Sequence, residues 1–190
     1  MSVHATKSDR RRAAVAVIAC AGVLAGCRGP INPAEVDDPA FEAIYAAFAD
    51  SVQEARDTGH WQSGWTGNLG VNLLGGQRMG LCWEWRDWVY ARVEPVASAH
   101  GWETAGVFIN RNSMSEHNAV AVYDPARVQD AQAAIDAGTS TEGPASHVYV
   151  LDAWRRGKPD VYLLRDWAKK PLIVWNPVGL EEPPFPFGER

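Results

Sequence analysis

The sequence predicts an α+β domain in which N-terminal helices pack on an antiparallel β-sheet. Three observations predict it. Phe41, Ile44, Tyr45, Phe48, Val52 and Ala55 recur at three- and four-residue spacing behind Asp38-Pro39, which marks an amphipathic helix with a side-chain cap and a first-turn proline. A second helical stretch starts at Cys82, with Trp85, Trp88 and Val89 on its buried side. Short β-branched or alternating runs then follow at 104–110, 117–123 and 147–154, and residues 161–164 read as one more strand or a helix start, giving a sheet of about four strands.

Taken in order, residues 1–26 read as an export address. Arg10, Arg11 and Arg12 form a positive start, and 13–25 is an apolar run too short to cross a bilayer as a mature helix. Leu24-Ala25-Gly26-Cys27 closes that run and resembles the lipobox of bacterial lipoproteins. The resemblance implies that Cys27 is acylated and becomes the first residue after cleavage, which places the protein in the bacterial cell envelope on a lipid anchor. Residues 27–37, with Gly29, Pro30 and Pro33, read as a tether, 38–175 as the domain, and 176–190 as a proline-rich tail that cannot enter a sheet interior.

Within the domain the first helix ends near Thr58-Gly59, and 60–80 is a long loop rich in Gly, Asn, Ser and Gln. The Cys82 helix is expected to run to about Arg92, where Pro95 breaks or restarts it before His100-Gly101. Residues 111–115 form the turn after the first strand. Asp124-Pro125 starts a helix through Val128, Ala131 and Ile135 that ends at Gly138, and Arg155-Arg156-Gly157 is a turn.

Composition narrows the function. The net charge is −5, and because residues 1–26 carry four basic residues and one acid, the remainder stands at −8. An acidic chain with no basic run argues against nucleic acid, and none is expected as a partner. Of three cysteines, Cys20 leaves with the address and Cys27 carries lipid, so Cys82 alone remains in the domain and has no disulfide partner. It lies where a glycine-rich approach becomes a helix. There the unpaired amides and the positive end of the helix dipole favour thiolate over thiol.

A cysteine nucleophile needs a base and a group to orient that base. His60, His100, His117 and His147 remain after the address is removed, and strand geometry sorts them. His117 and Asp124 are seven positions apart, facing opposite sides at about 23 Å, and His147 and Asp152 fail on parity as well. Two cross-strand pairs survive, His117 with Asp152 and His147 with Asp124, because side chains on neighbouring strands approach to about 5 Å. His60 reads as an exposed loop residue and His100 as a helix C-cap, while Glu84, Arg86 and Asp87 read as a solvated helix face. Cys82 has no nearby cysteine or histidine in sequence, so neither a zinc site nor any cofactor is expected.

Gly80-Leu81-Cys82-Trp83-Glu84-Trp85, then Glu116-His117-Asn118-Ala119-Val120, then Tyr149-Val150-Leu151-Asp152-Ala153-Trp154 give the order helix-borne cysteine, strand-borne histidine, strand-borne aspartate. That order resembles the transglutaminase-like branch of papain-type thiol enzymes. The similarity covers about 77–154, with Ala119 where the family commonly has an aromatic residue and a helix inserted between the last two motifs. It implies a Cys82–His117–Asp152 triad, with Gln77 or the indole N–H of Trp83 joining the Cys82 amide as oxyanion donors. A donor of that kind is worth about 3 kcal/mol in the transition state. The function expected is a membrane-anchored thiol enzyme acting on amide bonds of an envelope peptide or protein, as a peptidase, amidase or acyltransferase. The alternative is a non-catalytic lipoprotein that uses the same fold to bind a protein or peptide.

Overall fold

The computed structural model describes residues 29–64, 79–111 and 116–168, together with the backbone of 179–181. The export address, Cys27, the turn residues 112–115 and most of the 60–80 loop lie outside the described residues. Helix α1 (Pro39–Asp57) begins where the Asp38 carboxylate accepts from the amides of Ala40 at 2.9 Å and Phe41 at 3.2 Å. It ends on Thr58, with Gly59 in the left-handed region at φ 65°. Phe41, Ile44, Phe48, Val52 and Ala55 are all buried.

Helix α2 (Cys82–Ala99) does not break at Pro95. Pro95 and Ala91 are both exposed, so the carbonyl that the missing proline N–H leaves without a helical partner sits on the side where water reaches it. Trp88 is half-buried and donates from Nε1 to the Ser51 carbonyl at 2.9 Å, while Arg92 grips Glu54 with two bonds of 2.7 and 2.9 Å. These bonds fasten α2 along α1.

The sheet has five antiparallel strands in the order β4-β3-β2-β1-β5: β1 (Glu103–Ile109), β2 (His117–Tyr123), β3 (Val148–Asp152), β4 (Asp160–Leu163) and β5 (Gly179–Glu181). The fifth strand comes from the segment read as a tail and takes an edge of the sheet, not its interior. Helix α3 (Pro125–Asp136), capped by Asp124, is inserted between β2 and β3, yet those strands are neighbours, with Val120 opposite Leu151 and Val122 opposite Tyr149. Residues 161–164 satisfy both sequence alternatives in turn, because β4 runs directly into helix α4 (Leu164–Trp167). Ile31, within the stretch read as a tether, donates its amide to the Val161 carbonyl at 2.8 Å.

Both faces of the sheet are covered. Val120, Val122, Leu151 and Val161 pack with α1 and α2, while Val107, Ile109, Ala119, Ala121, Val150 and Tyr162 pack with Trp167 on the other side. Alternation along β2 therefore gives Asn118 the parity of the helix face and His117 that of the Trp167 face. The two adjacent residues belong to different layers.

Candidate active site

Cys82 is placed by its own helix start. Leu81, the N-cap, has an apolar side chain that can accept nothing, so the first-turn amides have no side-chain cap, while Glu84 reaches back and fixes the approach by accepting from the amides of Gly80 at 2.7 Å and Leu81 at 2.8 Å. Trp154 holds the same approach from the sheet side, donating from Nε1 to the Gly80 carbonyl at 2.8 Å. Cys82 is thus the first helical residue, at the end of α2 where amides lack intrahelical acceptors, and it is only 6% exposed.

The histidine arrives from β2. Continuing the β2–β3 register by one step sets Asp152 across from Ala119, so His117 lies two residues along the same face, a diagonal neighbour that a long side chain can reach. His117 Nε2 lies 2.8 Å from Asp152 Oδ2, with both residues buried at 2% and 1% exposure. The same carboxylate oxygen accepts from Trp167 Nε1 at 3.0 Å and Arg155 Nε at 3.2 Å. Arg155 Nε is also 3.3 Å from His117 Nε2. Since Arg155 only donates, the proton of Nε2 points at the carboxylate and the arginine's bond belongs to Asp152. The imidazole is packed against Trp154 and Trp167, with ring centroids 4.9 and 5.5 Å away.

The sulfur meets β2 at its first residue. Cys82 Sγ lies 3.7 Å from the Glu116 carbonyl and 3.5 Å from Asn118 Nδ2, the two residues on either side of His117. His117 Nδ1 is buried and makes no hydrogen bond within the described residues, which leaves it as the ring nitrogen for the thiol. Electrostatics fit an ion pair. Burial pushes the Cys82 thiol up, but the nearness and charge of the His117 ring, with help from the side chain and the backbone of Asn118, outweigh it and leave the thiol below its ordinary value. For His117 burial favours the neutral ring and Arg155 opposes its charge, yet Asp152 and Cys82 together raise it. Burial likewise opposes the Asp152 anion, and His117, Arg155 and Trp167 overcome that and hold its carboxyl well below the usual range.

The structure brings Cys82, His117 and Asp152 together and leaves the other cross-strand pair apart. Asp124 is spent as the α3 cap, accepting from the Ala126 amide at 2.9 Å, and His147 sits at the end of a 3-10 turn just before β3. His100 is the C-cap of α2, and His60 is exposed. Trp83 is the second residue of α2 and half-buried, whereas Gln77 lies outside the described residues. Among the described residues no group of three or more His, Cys, Asp or Glu is arranged to hold a metal ion.

One sequence expectation is overturned beside the thiol. Arg86 and Asp87 are not a solvated face: they are 4% and 8% exposed, and Arg86 Nε and Nη2 each lie 2.8 Å from Asp87 Oδ1. Charge pairing within the helix offsets part of the cost of burying either side chain alone. Sequence reasoning also missed Asn118, Arg155 and Trp167. The signal for Asn118 was its place next to His117 on the helix-facing parity of β2; Arg155 and Trp167 reach Asp152 from the turn after β3 and from α4, which no pattern announces. No family model, curated protein or solved structure matches this chain.

Proposed function

We propose that this chain is a thiol enzyme of the transglutaminase-like, papain-type kind, acting on amide bonds of a peptide or protein through Cys82, His117 and Asp152. The observation that carries the reading is the 2.8 Å bond between His117 Nε2 and Asp152 beside a cysteine at a helix N-terminus. A carboxylate on one ring nitrogen fixes the tautomer and leaves the other facing the sulfur, the arrangement a nucleophile–base pair requires. Cys82 attacks the substrate carbonyl, and His117 holds the thiol proton and returns it to the leaving amine. Asp152 stabilises the imidazolium throughout. The developing oxyanion is received by the Cys82 amide, an N–H that the helix itself leaves unpaired, together with a second donor for which Gln77 and Trp83 remain the candidates. Water or an amine then releases the acyl group. No cofactor takes part in this sequence of steps.

The test is the acid shift of the thiol. The folded protein is treated with iodoacetamide across pH and modification is read at the Cys82 peptide. Cys82 is expected to react well below pH ~8.5, the ordinary thiol value, and His117→Ala is expected to return it to that range. A Cys82 that reacts only after unfolding overturns the proposal.

The location belongs to the same proposal. The arginine-led apolar start and Leu24-Ala25-Gly26-Cys27 support a bacterial lipoprotein held at a membrane of the cell envelope, which sets the substrate among envelope peptides and proteins. Labelled fatty acid is expected in the wild-type protein and not in Cys27→Ala. Equal incorporation in both removes the anchor.

A further inference from the structure

Both amide hydrogens and the carbonyl oxygen of the Asn118 side chain are engaged. Nδ2 donates to Cys82 Sγ at 3.5 Å and to Glu116 Oε1 at 3.0 Å, and Oδ1 accepts from Arg86 Nη1 at 3.1 Å. The orientation of this amide is dictated by chemistry. A guanidinium only donates, so the carbonyl end must face Arg86, and a flipped amide would set donor against donor there and oxygen against the sulfur and the Glu116 carboxylate. Arg86 is itself immobilised by burial and by its two contacts with Asp87. The NH2 group is therefore held at the sulfur by a chain of buried contacts that ends in an ion pair.

We propose that Asn118 is the donor that holds the Cys82 thiolate, and that Arg86, anchored by Asp87, is the positioning residue that keeps this donor aimed at the sulfur. The proposal rests on the reading of Cys82 as the nucleophile and adds a second stabiliser of its anion, independent of His117. The charged groups around the sulfur make the need plain. His117 approaches from β2 with Asp152 and Arg155 behind it, Glu116 shares the same NH2, Arg86 and Asp87 lie behind Asn118, and Glu84 binds the backbone ahead of the cysteine. Asn118 gives one hydrogen to the thiolate and the other to the Glu116 carboxylate, so a single neutral amide stands between two anions and donates to each. Buried Arg86 and Asp87 acquire a reason for their cost: they are the fixed end of a donor that must not rotate.

The experiment is a pH titration of the thiolate ultraviolet absorbance in the full chain, with Cys82→Ala subtracted as the blank. Asn118→Asp keeps the shape and the bond to Arg86 but sets a third anion at the sulfur. It is expected to raise the apparent thiol pKa by about one unit or more, a tenfold loss of thiolate at fixed pH. Asn118→Leu, which deletes the donor without adding charge, is expected to shift in the same direction by less. Arg86→Met with Asp87→Leu, removing both charges as a pair, is expected to shift as Asn118→Leu does, because the amide is freed. Thermal melts identify any variant that does not fold, and Asn118→Ser then stands in for the leucine variant. Wild-type titration curves in both Asn118→Asp and Asn118→Leu overturn the role of Asn118 and leave the nucleophile standing. A wild-type thiol that itself titrates in the ordinary range near pH ~8.5, unchanged by His117→Ala, overturns the nucleophile reading and this one with it.

Discussion

Asp152 concentrates three donors, from His117, Trp167 and Arg155, on its Oδ2 atom, while Oδ1 has no hydrogen-bond partner among the described residues. A carboxylate buried this way is favourable only while ionised, and its depressed value gives the sign of its contribution to stability. The contribution is complete above the unfolded carboxylate value of about 3.9 and is lost as pH falls through the lower folded value. The thiol–imidazole pair adds little slope near neutrality. Between about pH 6.5 and 8.5 the unfolded thiol and imidazole hold one proton between them, and with the thiol shifted down and the imidazole up the folded pair also holds one, whichever partner carries it. The urea midpoint is therefore expected to fall on acidification below about pH 4 in the wild type, and to fall less steeply in Asp152→Asn, which cannot titrate there. Parallel acid limbs in the two proteins sink this account. Strand parity, a property of each strand alone, narrowed the candidates in the sequence to His117 with Asp152 and His147 with Asp124, and the order of the three motifs then pointed to the first pair. Asn118 and Arg86 were not legible, since a polar residue on a core-facing position has no visible reason until its partner is known, and Arg86 reads as exposed on any hydropathy argument.

Helix α2 carries Cys82 at one end and a proline near the other, and the two ends obey different constraints. At the start, Glu84 holds the amides of Gly80 and Leu81 ahead of the helix, and the two indoles of Trp85 and Trp154 bind backbone carbonyls of the approaching chain, Gln62 at 2.6 Å and Gly80 at 2.8 Å. At Pro95 the chain stays helical because packing of Val93 and Ala97 against the core outweighs one lost bond on the wet side. Pro95→Ala restores that bond. It is expected to stabilise the fold by about 1–2 kcal/mol, less than the full ~3 kcal/mol propensity difference because alanine also frees the unfolded chain. The urea midpoint checks it, and a destabilised variant means that the proline ring is packed rather than exposed. The sequence announced α1 and α3 almost to the residue, since each has an Asp-Pro start and a glycine in the left-handed region at its end. It misjudged α2 because proline stops a helix only where tertiary contacts do not hold the next turn, and those contacts are long-range.

At the scale of the whole molecule the site is the place where two layers of the fold meet. Cys82 belongs to the helical layer, His117 and Asp152 to the opposite face of the sheet, and they converge because the sulfur lies at the start of β2, where a side chain can pass around the strand end. The second face must then be covered as firmly as the first, and α4, four residues long, does so chiefly through Trp167, which is fully buried. Its indole packs against His117 and its Nε1 donates to Asp152, so cover and hydrogen bond are properties of one side chain. Two substitutions separate them. Trp167→Phe keeps an aromatic ring over the sheet and deletes the donor, and it is expected to cost about 1–3 kcal/mol for a carboxylate oxygen deprived of one partner. Trp167→Ala also opens a cavity beneath α4 and is expected to cost about 3–5 kcal/mol, read from urea unfolding at neutral pH. If the two variants lose the same stability, the indole serves Asp152 alone and the second layer is held by Val107, Ile109, Val150 and Tyr162 without it. If alanine loses markedly more, Trp167 closes the face on which the histidine and its carboxylate stand, and the site's electrostatics depend on that cover excluding water.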